Sequence, residues 1–191
     1  MFAHRKKFLV IGAQNAITYR EVFPRIRDNQ LWLGVTMNGS NRWFAVPDEY
    51  ETRENAAGCK IIDGKRCLFV NGVVWFTNLS HEKRNTPLEL TKAYDPRKYP
   101  RYDNYDAIES KTADIPCDYD GVIGVPISFL HKYCPDQFEI LDLNPYFFTV
   151  VEKGLEKPRQ LSLKNAGWTK DPFSRIMIKK KGPTPVDPRK D

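Results

Sequence analysis

"KKFLVIGAQNAITYREVFPRIRDNQLWLGVT", residues 6–36, decides the fold class. Its opening, "KKFLVIGA" (6–13), is a short continuous apolar run ending in glycine, the pattern of a buried parallel strand entering a loop. In "NAITYREVFPRIRDN" (15–29), Ile17, Val22, Phe23 and Ile26 fall roughly on one helical face, with Pro24 inside it. Proline removes a backbone donor and crowds the preceding turn, so the segment predicts a short helix or two pieces broken near Pro24. "QLWLGVT" (30–36) is a second strand. Strand, helix and strand in about thirty residues make the βαβ unit of an open α/β sheet.

Downstream the texture changes. Residues 37–72 carry turn signals at Asn38-Gly39, Asp63-Gly64 and Asn71-Gly72, and "CKIIDGKRCLFV" (59–70) predicts a hairpin around Asp63-Gly64. "VVWFTNL" (73–79) is a strong strand, "SHEKRNTPLELTKAYDP" (80–96) is basic, and residues 97–121 are polar, rich in tyrosine and dotted with proline. "VIGVPISFLHKY" (122–133) is apolar, "QFEILDL" (137–143) and "SRIMIKKK" (174–181) predict two further strands, and "GPTPVDPRKD" (182–191) a disordered tail. Residues 1–80 are expected to form an α/β unit with an inserted hairpin at 37–72, and residues 81–181 a recognition region.

Bulk composition narrows the function. With 41% hydrophobic and 13% aromatic residues, 191 residues can bury a core, which argues against a wholly disordered chain. The net charge of +6 favours a polyanionic partner, nucleic acid ahead of a membrane surface. No run of 18 apolar residues exists, so no membrane helix is expected. "FLVIGA" (8–13) is too short for a signal peptide, which leads to a cytoplasmic expectation. Cys59, Cys67, Cys117 and Cys134 form no C-x-x-C pair and read as reduced thiols. "HEKRN" (81–85) lacks the second histidine of a zinc-binding H-E-x-x-H helix, and no metal ligand set is assigned.

Three blocks carry a resemblance: residues 6–34, "VVWFTNLSHEKR" (73–84), and the stretch from "YPRYDNYDAIESKTADIPC" down to "DYDGVIGVPISFLHKYCPDQFEIL" (99–141). Together they resemble the region after the catalytic loop in EcoRI-type adenine-specific DNA methyltransferases. The resemblance implies a seven-stranded methyltransferase sheet with an element that reads DNA, here a partial Rossmann-like sheet with an irregular, basic target-recognition extension. It implies S-adenosyl-L-methionine as cofactor, double-stranded DNA as partner, and methyl transfer to N6 of an adenine flipped out of the duplex, as in restriction-modification. The family's Asp/Asn-Pro-Pro-Phe/Tyr loop and glycine loop are not in the sequence. "LNPYFF" (143–148) and "KDPFSR" (170–175) approach the former but lack the double proline. The expectation is a C-terminal portion, inactive alone, whose partner is an N-terminal half or subunit. The alternative is a non-catalytic DNA- or RNA-binding module.

No catalytic residue is assigned. Gln14 and Asn15 follow a strand's C-terminal end, where open α/β sheets place ligands, and are candidates to line the cofactor or base pocket; Asn15 could instead cap the helix. Trp75 and Phe76 could stack on an extruded base, although an alternating strand turns one of them to the core. Candidate phosphate contacts are Arg42, Lys60, Lys65 and Arg66 around the hairpin, then Lys83, Arg84, Lys92, Arg97, Lys98 and Arg101. Tyr99, Tyr102 and Tyr105 are interleaved with these cations, and Asn104 offers an amide for a base edge. A rival reading packs the tyrosines on the core and leaves Asp103, Asp106, Asp114, Asp118 and Asp120 in solvent.

Overall fold

The computed structural model of the chain describes residues 6–36, 39–47, 49–50, 58–144, 153, 160–167, 169 and 172–182. It is a mixed α/β fold with two sheets and few helices. The first sheet is organised by one long strand, β5 (Lys65–Thr77), rich in β-branched and aromatic residues toward its C-terminal end; it runs straight through Asn71-Gly72, where the sequence suggested a turn. Its N-terminal half pairs antiparallel with β3 (Ser40–Ala45) and β4 (Cys59–Ile62), its C-terminal half with β1 (Leu9–Ala13) and β2 (Trp32–Leu33). The predicted hairpin is β4–β5, turning at Asp63 (φ 49°) and Gly64 (φ 72°). Two consecutive positive φ values are what a tight hairpin turn with the right twist demands.

Both β1 and β2 run antiparallel to β5, so they are parallel to each other with β5 between them, in the order β1-β5-β2. This corrects the expectation of a buried parallel β1. Its Leu9, Val10 and Ile11 are 54%, 42% and 41% exposed. Among the described residues the partner of β1 is β5, which supplies hydrogen bonds to one edge only. The connection from β1 to β2 is a 3₁₀ turn, Gln14–Thr18, followed by α1 (Phe23–Arg27). Pro24 sits in the first turn of α1, where its missing N–H costs nothing; the segment does fall into two pieces, which part at residues 19–22 just ahead of the proline.

The second sheet has the order β6-β7-β9-β8, with β6 (Ala107–Glu109), β7 (Val122–Pro126), β8 (Phe138–Asn144) and β9 (Arg175–Lys180). Only the β6–β7 pair is parallel. One apolar cluster joins the two sheets: Val74 and Phe76 of the first, with Ile17, Phe23 and Ile26 from the β1–β2 connection, pack with Ile123, Val125, Phe138 and Ile178 of the second and with Phe129 from the turn after β7. Continuous burial of this kind is what a single core requires. All four cysteines are free thiols, two of them buried. Apart from its first residue, the tail at 182–191 lies outside the described residues, as do most of "LNPYFF" and the first two residues of "KDPFSR".

Candidate nucleic-acid interface

Where β1 ends, Gln14 and Asn15 begin the 3₁₀ turn. The Gln14 side chain fills the space that a Cβ would take at Gly39, whose φ of 70° already favours glycine. Asn15 is exposed and lies inside the turn, so it is not the capping residue; its carbonyl accepts a hydrogen bond from the Thr18 hydroxyl at 2.8 Å. Its side chain lines a cleft of about 540 Å³ together with Thr18, Pro126, Ile127, Ser128, Phe173, Ser174 and Arg175. The cleft therefore draws on both sheets.

The alternation of β5 separates Trp75 from Phe76. Phe76 is 8% exposed, belongs to the core and closes over Gly12. Trp75 lies on the opposite face, half-buried, with its Cβ under Gly34. Of the two, Trp75 is the less buried.

Among the candidate cations, Arg42, Lys60, Lys65, Lys92, Arg97, Lys98 and Arg101 are exposed. Lys60 stacks over Trp43 with Nζ 4.1 Å from the ring centroid. Arg66 is half-buried, its Nε toward Cys59 Sγ at 3.4 Å and its Nη1 toward the Tyr50 carbonyl at 3.3 Å. Arg97 bonds Asp95 with Nε and Nη2 at 3.1 and 3.2 Å, which holds the Asp95 carboxyl below its usual range. Arg101 pairs with Asp106. Lys83 is half-buried, with Nζ 3.4 Å from the Val35 carbonyl.

Two of the candidates have structural posts instead. Arg84 is 9% exposed: its guanidinium lies 4.1 Å from the Trp32 ring centroid and 5.7 Å from that of Tyr133, and Nη2 donates to Asn29 Oδ1 at 2.8 Å. It is not a phosphate-facing cation, because its charge is spent inside the joint between the sheets. Burial pulls its pKa down, opposed by Tyr133, Cys134 and Asp136. Asn104 donates through Nδ2 to the Gln160 carbonyl at 2.6 Å and accepts from the Ser162 amide at 3.0 Å. Its amide closes a loop rather than standing free for a base edge.

The tyrosines follow the rival reading. Tyr99 and Tyr102 are 7% and 6% exposed, and Tyr99 donates to the Asp114 carbonyl at 2.7 Å. Tyr102 donates to Glu109, and Arg175 Nε reaches both Glu109 oxygens at 2.8 and 3.0 Å. Desolvation first, then the Glu109 carboxylate, drives the Tyr102 pKa far up, so it stays a donor. Asp103, exposed, accepts from the Ser162 hydroxyl at 2.7 Å and the Lys164 amide at 2.9 Å. Residues 97–121 are thus a strapped loop whose rings point inward and whose cations point outward. Sequence reasoning missed Phe173, Arg175 and Glu109; a glutamate in the apolar surroundings of β6 was the available signal for a buried ion pair.

The family model described as adenine-specific methyltransferase EcoRI matches residues 1–181. The chain belongs to this family. The Type II methyltransferase M.EcoRI of Escherichia coli is 42% identical over 184 residues, which cover 95% of this chain and 52% of the relative. M.MgeORF184P of Mycoplasma genitalium is 34% identical over 188 residues, 94% of this chain and 59% of the relative. M.MpnI of Mycoplasma pneumoniae is 38% identical over 149 residues, 75% and 46% respectively. The chain therefore spans about half the length of the curated relatives it matches. No solved structure matches it.

Methyltransferases in general use S-adenosylmethionine. The Asn15 cleft offers one amide and the hydroxyls of Thr18, Ser128 and Ser174, with no carboxylate among its described lining residues; the Arg175 at its edge is held by the buried Glu109. A cofactor ribose is commonly held by a free carboxylate. The lining of this cleft does not by itself make a cofactor site.

Proposed function

We propose that this chain is the C-terminal portion of an S-adenosylmethionine-dependent DNA methyltransferase that modifies N6 of adenine in a restriction-modification setting. The family match over residues 1–181, in a chain that spans about half of its relatives, carries this reading. The division near residue 80 separates the sheet-completing part, whose hairpin cations also meet phosphate, from the target-recognition part. The first sheet is the end of a larger methyltransferase sheet. Its β1 presents Leu9, Val10 and Ile11, more than 40% exposed each, on a strand bonded along one edge among the described residues. Further strands from an N-terminal half, carrying the Asp/Asn-Pro-Pro-Phe/Tyr and glycine loops, add to that edge by ordinary sheet pairing. Asn15 and Trp75 then border the pocket for the flipped adenine, and the exposed cations at 60–66 and 92–101 hold phosphates.

The test is transfer of labelled methyl from S-adenosylmethionine to unmethylated DNA. The chain alone is expected to transfer none. The chain joined to the N-terminal half of M.EcoRI is expected to yield N6-methyladenine. Methyl transfer by the chain alone overturns the partial-enzyme reading. A fused protein that binds DNA and cofactor yet makes no N6-methyladenine overturns the methyltransferase reading, leaving a binding module.

A further inference from the structure

Phe173 is 91% exposed, the most exposed large apolar side chain of the described residues. A lone surface Leu or Val needs no explanation, but a whole aromatic ring left in water forfeits a large burial gain. Its backbone, by contrast, is pinned on both sides. Pro172 before it is buried. Behind it, Arg175 Nη1 donates to the Phe173 carbonyl at 3.0 Å and to the Ser174 carbonyl at 3.5 Å. Arg175 is itself 14% exposed and locked on Glu109, which is 7% exposed and takes a second hydrogen bond from Tyr102. A buried Tyr–Glu–Arg relay thus fixes the carbonyl of a residue whose ring projects into solvent.

The position of the ring is equally specific. Phe173 stands at the rim of the cleft that Asn15 and Thr18 enter from the first sheet. A rigid mount and a free ring are the requirements of a wedge, because an apolar side chain entering a stacked duplex must not fold back when it meets resistance.

Resting on the DNA-methyltransferase reading above, we propose that Phe173 is a nucleobase-stacking wedge that enters double-stranded DNA beside the site of base extrusion and fills the gap in the stack. Its occupant is a base step of duplex DNA. The aromatic face supplies sequence-tolerant stacking, while the exposed lysines and arginines hold the backbone. Arg175 is a positioning residue in this account and touches no base.

The probes are two short DNA duplexes, one intact and one with a single abasic site that leaves a vacancy in the stack. Fluorescence anisotropy measures their affinity for the 191-residue chain. Wild type is expected to bind the abasic duplex about tenfold more tightly than the intact one. Phe173→Ala is expected to lose that preference while keeping its melting temperature, since the ring is 91% exposed and makes no core contact. Phe173→Trp is expected to keep the preference. Arg175→Lys, which gives up the bidentate hold, is expected to reduce it. Equal binding of both duplexes by wild type and Phe173→Ala overturns the wedge and leaves the DNA reading intact. No binding of either duplex overturns the wedge and the DNA reading together.

Discussion

Arg84 separates two roles that a sequence cannot tell apart. "HEKRN" offers adjacent cations, and both look like phosphate contacts on paper. The structure gives Arg84 a stack on Trp32 and a hydrogen bond to Asn29, and leaves Lys83 nearer the surface. A buried guanidinium stack and a charged hydrogen bond together are worth about 2–3 kcal/mol. Arg84→Ala is therefore expected to destabilise the chain by that amount in urea unfolding while leaving the salt dependence of DNA binding unchanged. His131 makes a second prediction at this scale. Its ring nitrogens are buried without a hydrogen-bond partner among the described residues, and burial first, then the nearby Lys83 charge, lowers its pKa from 6.5 to about 4. Between those values the unfolded chain binds a proton that the folded chain refuses, so stability is complete above pH 6.5 and falls as pH drops toward 4. Partial solvent screening limits the loss to roughly 1–2 kcal/mol. Thermal melting of wild type and His131→Gln across that range is expected to show a shallower decline in the variant.

Elements were legible where local chemistry dictates them. The Asp63-Gly64 turn follows from positive φ and stands where the residues indicate, whereas the strand expected at 73–79 is the end of the longer β5, and the helical segment parts at residues 19–22, just ahead of Pro24. The placement of β1 was not legible, because a five-residue apolar run reads alike whether buried by helices or left at a sheet face. Only the pairing with β5, more than fifty residues away, decides it. The same holds for Tyr102: nothing local distinguishes a DNA-facing tyrosine from one bonded to Glu109. Gly124 on β7 shows how tightly that pairing is built, since a Cβ there overlaps the Tyr102 ring and hydroxyl. Gly124→Ala is expected to cost about 1–3 kcal/mol through overpacking. It is also expected to loosen the Arg175 mount, read as faster amide hydrogen exchange at Phe173 and Ser174.

Across the whole molecule, two sheets share one apolar cluster, most of the candidate cations lie on the surface, and one edge of β1 is unpaired among the described residues. Of the proposed site, the sequence marked Asn15 and Trp75 by their place at strand ends and on strand faces. It could not mark the Phe173 mount, whose parts lie at residues 102, 109, 172 and 175 and meet only in the folded chain. The central claim is that this portion holds duplex DNA through its exposed basic loops. Fluorescence anisotropy of a short duplex, titrated with the chain from low to physiological salt, tests it most directly. Each neutralised phosphate releases a counterion, so affinity is predicted to fall with a log–log slope steeper than about −3, and the Lys92→Ala/Lys98→Ala double variant to flatten it by about two units. Affinity that stays constant across that range, or a double variant with the wild-type slope, would contradict the account.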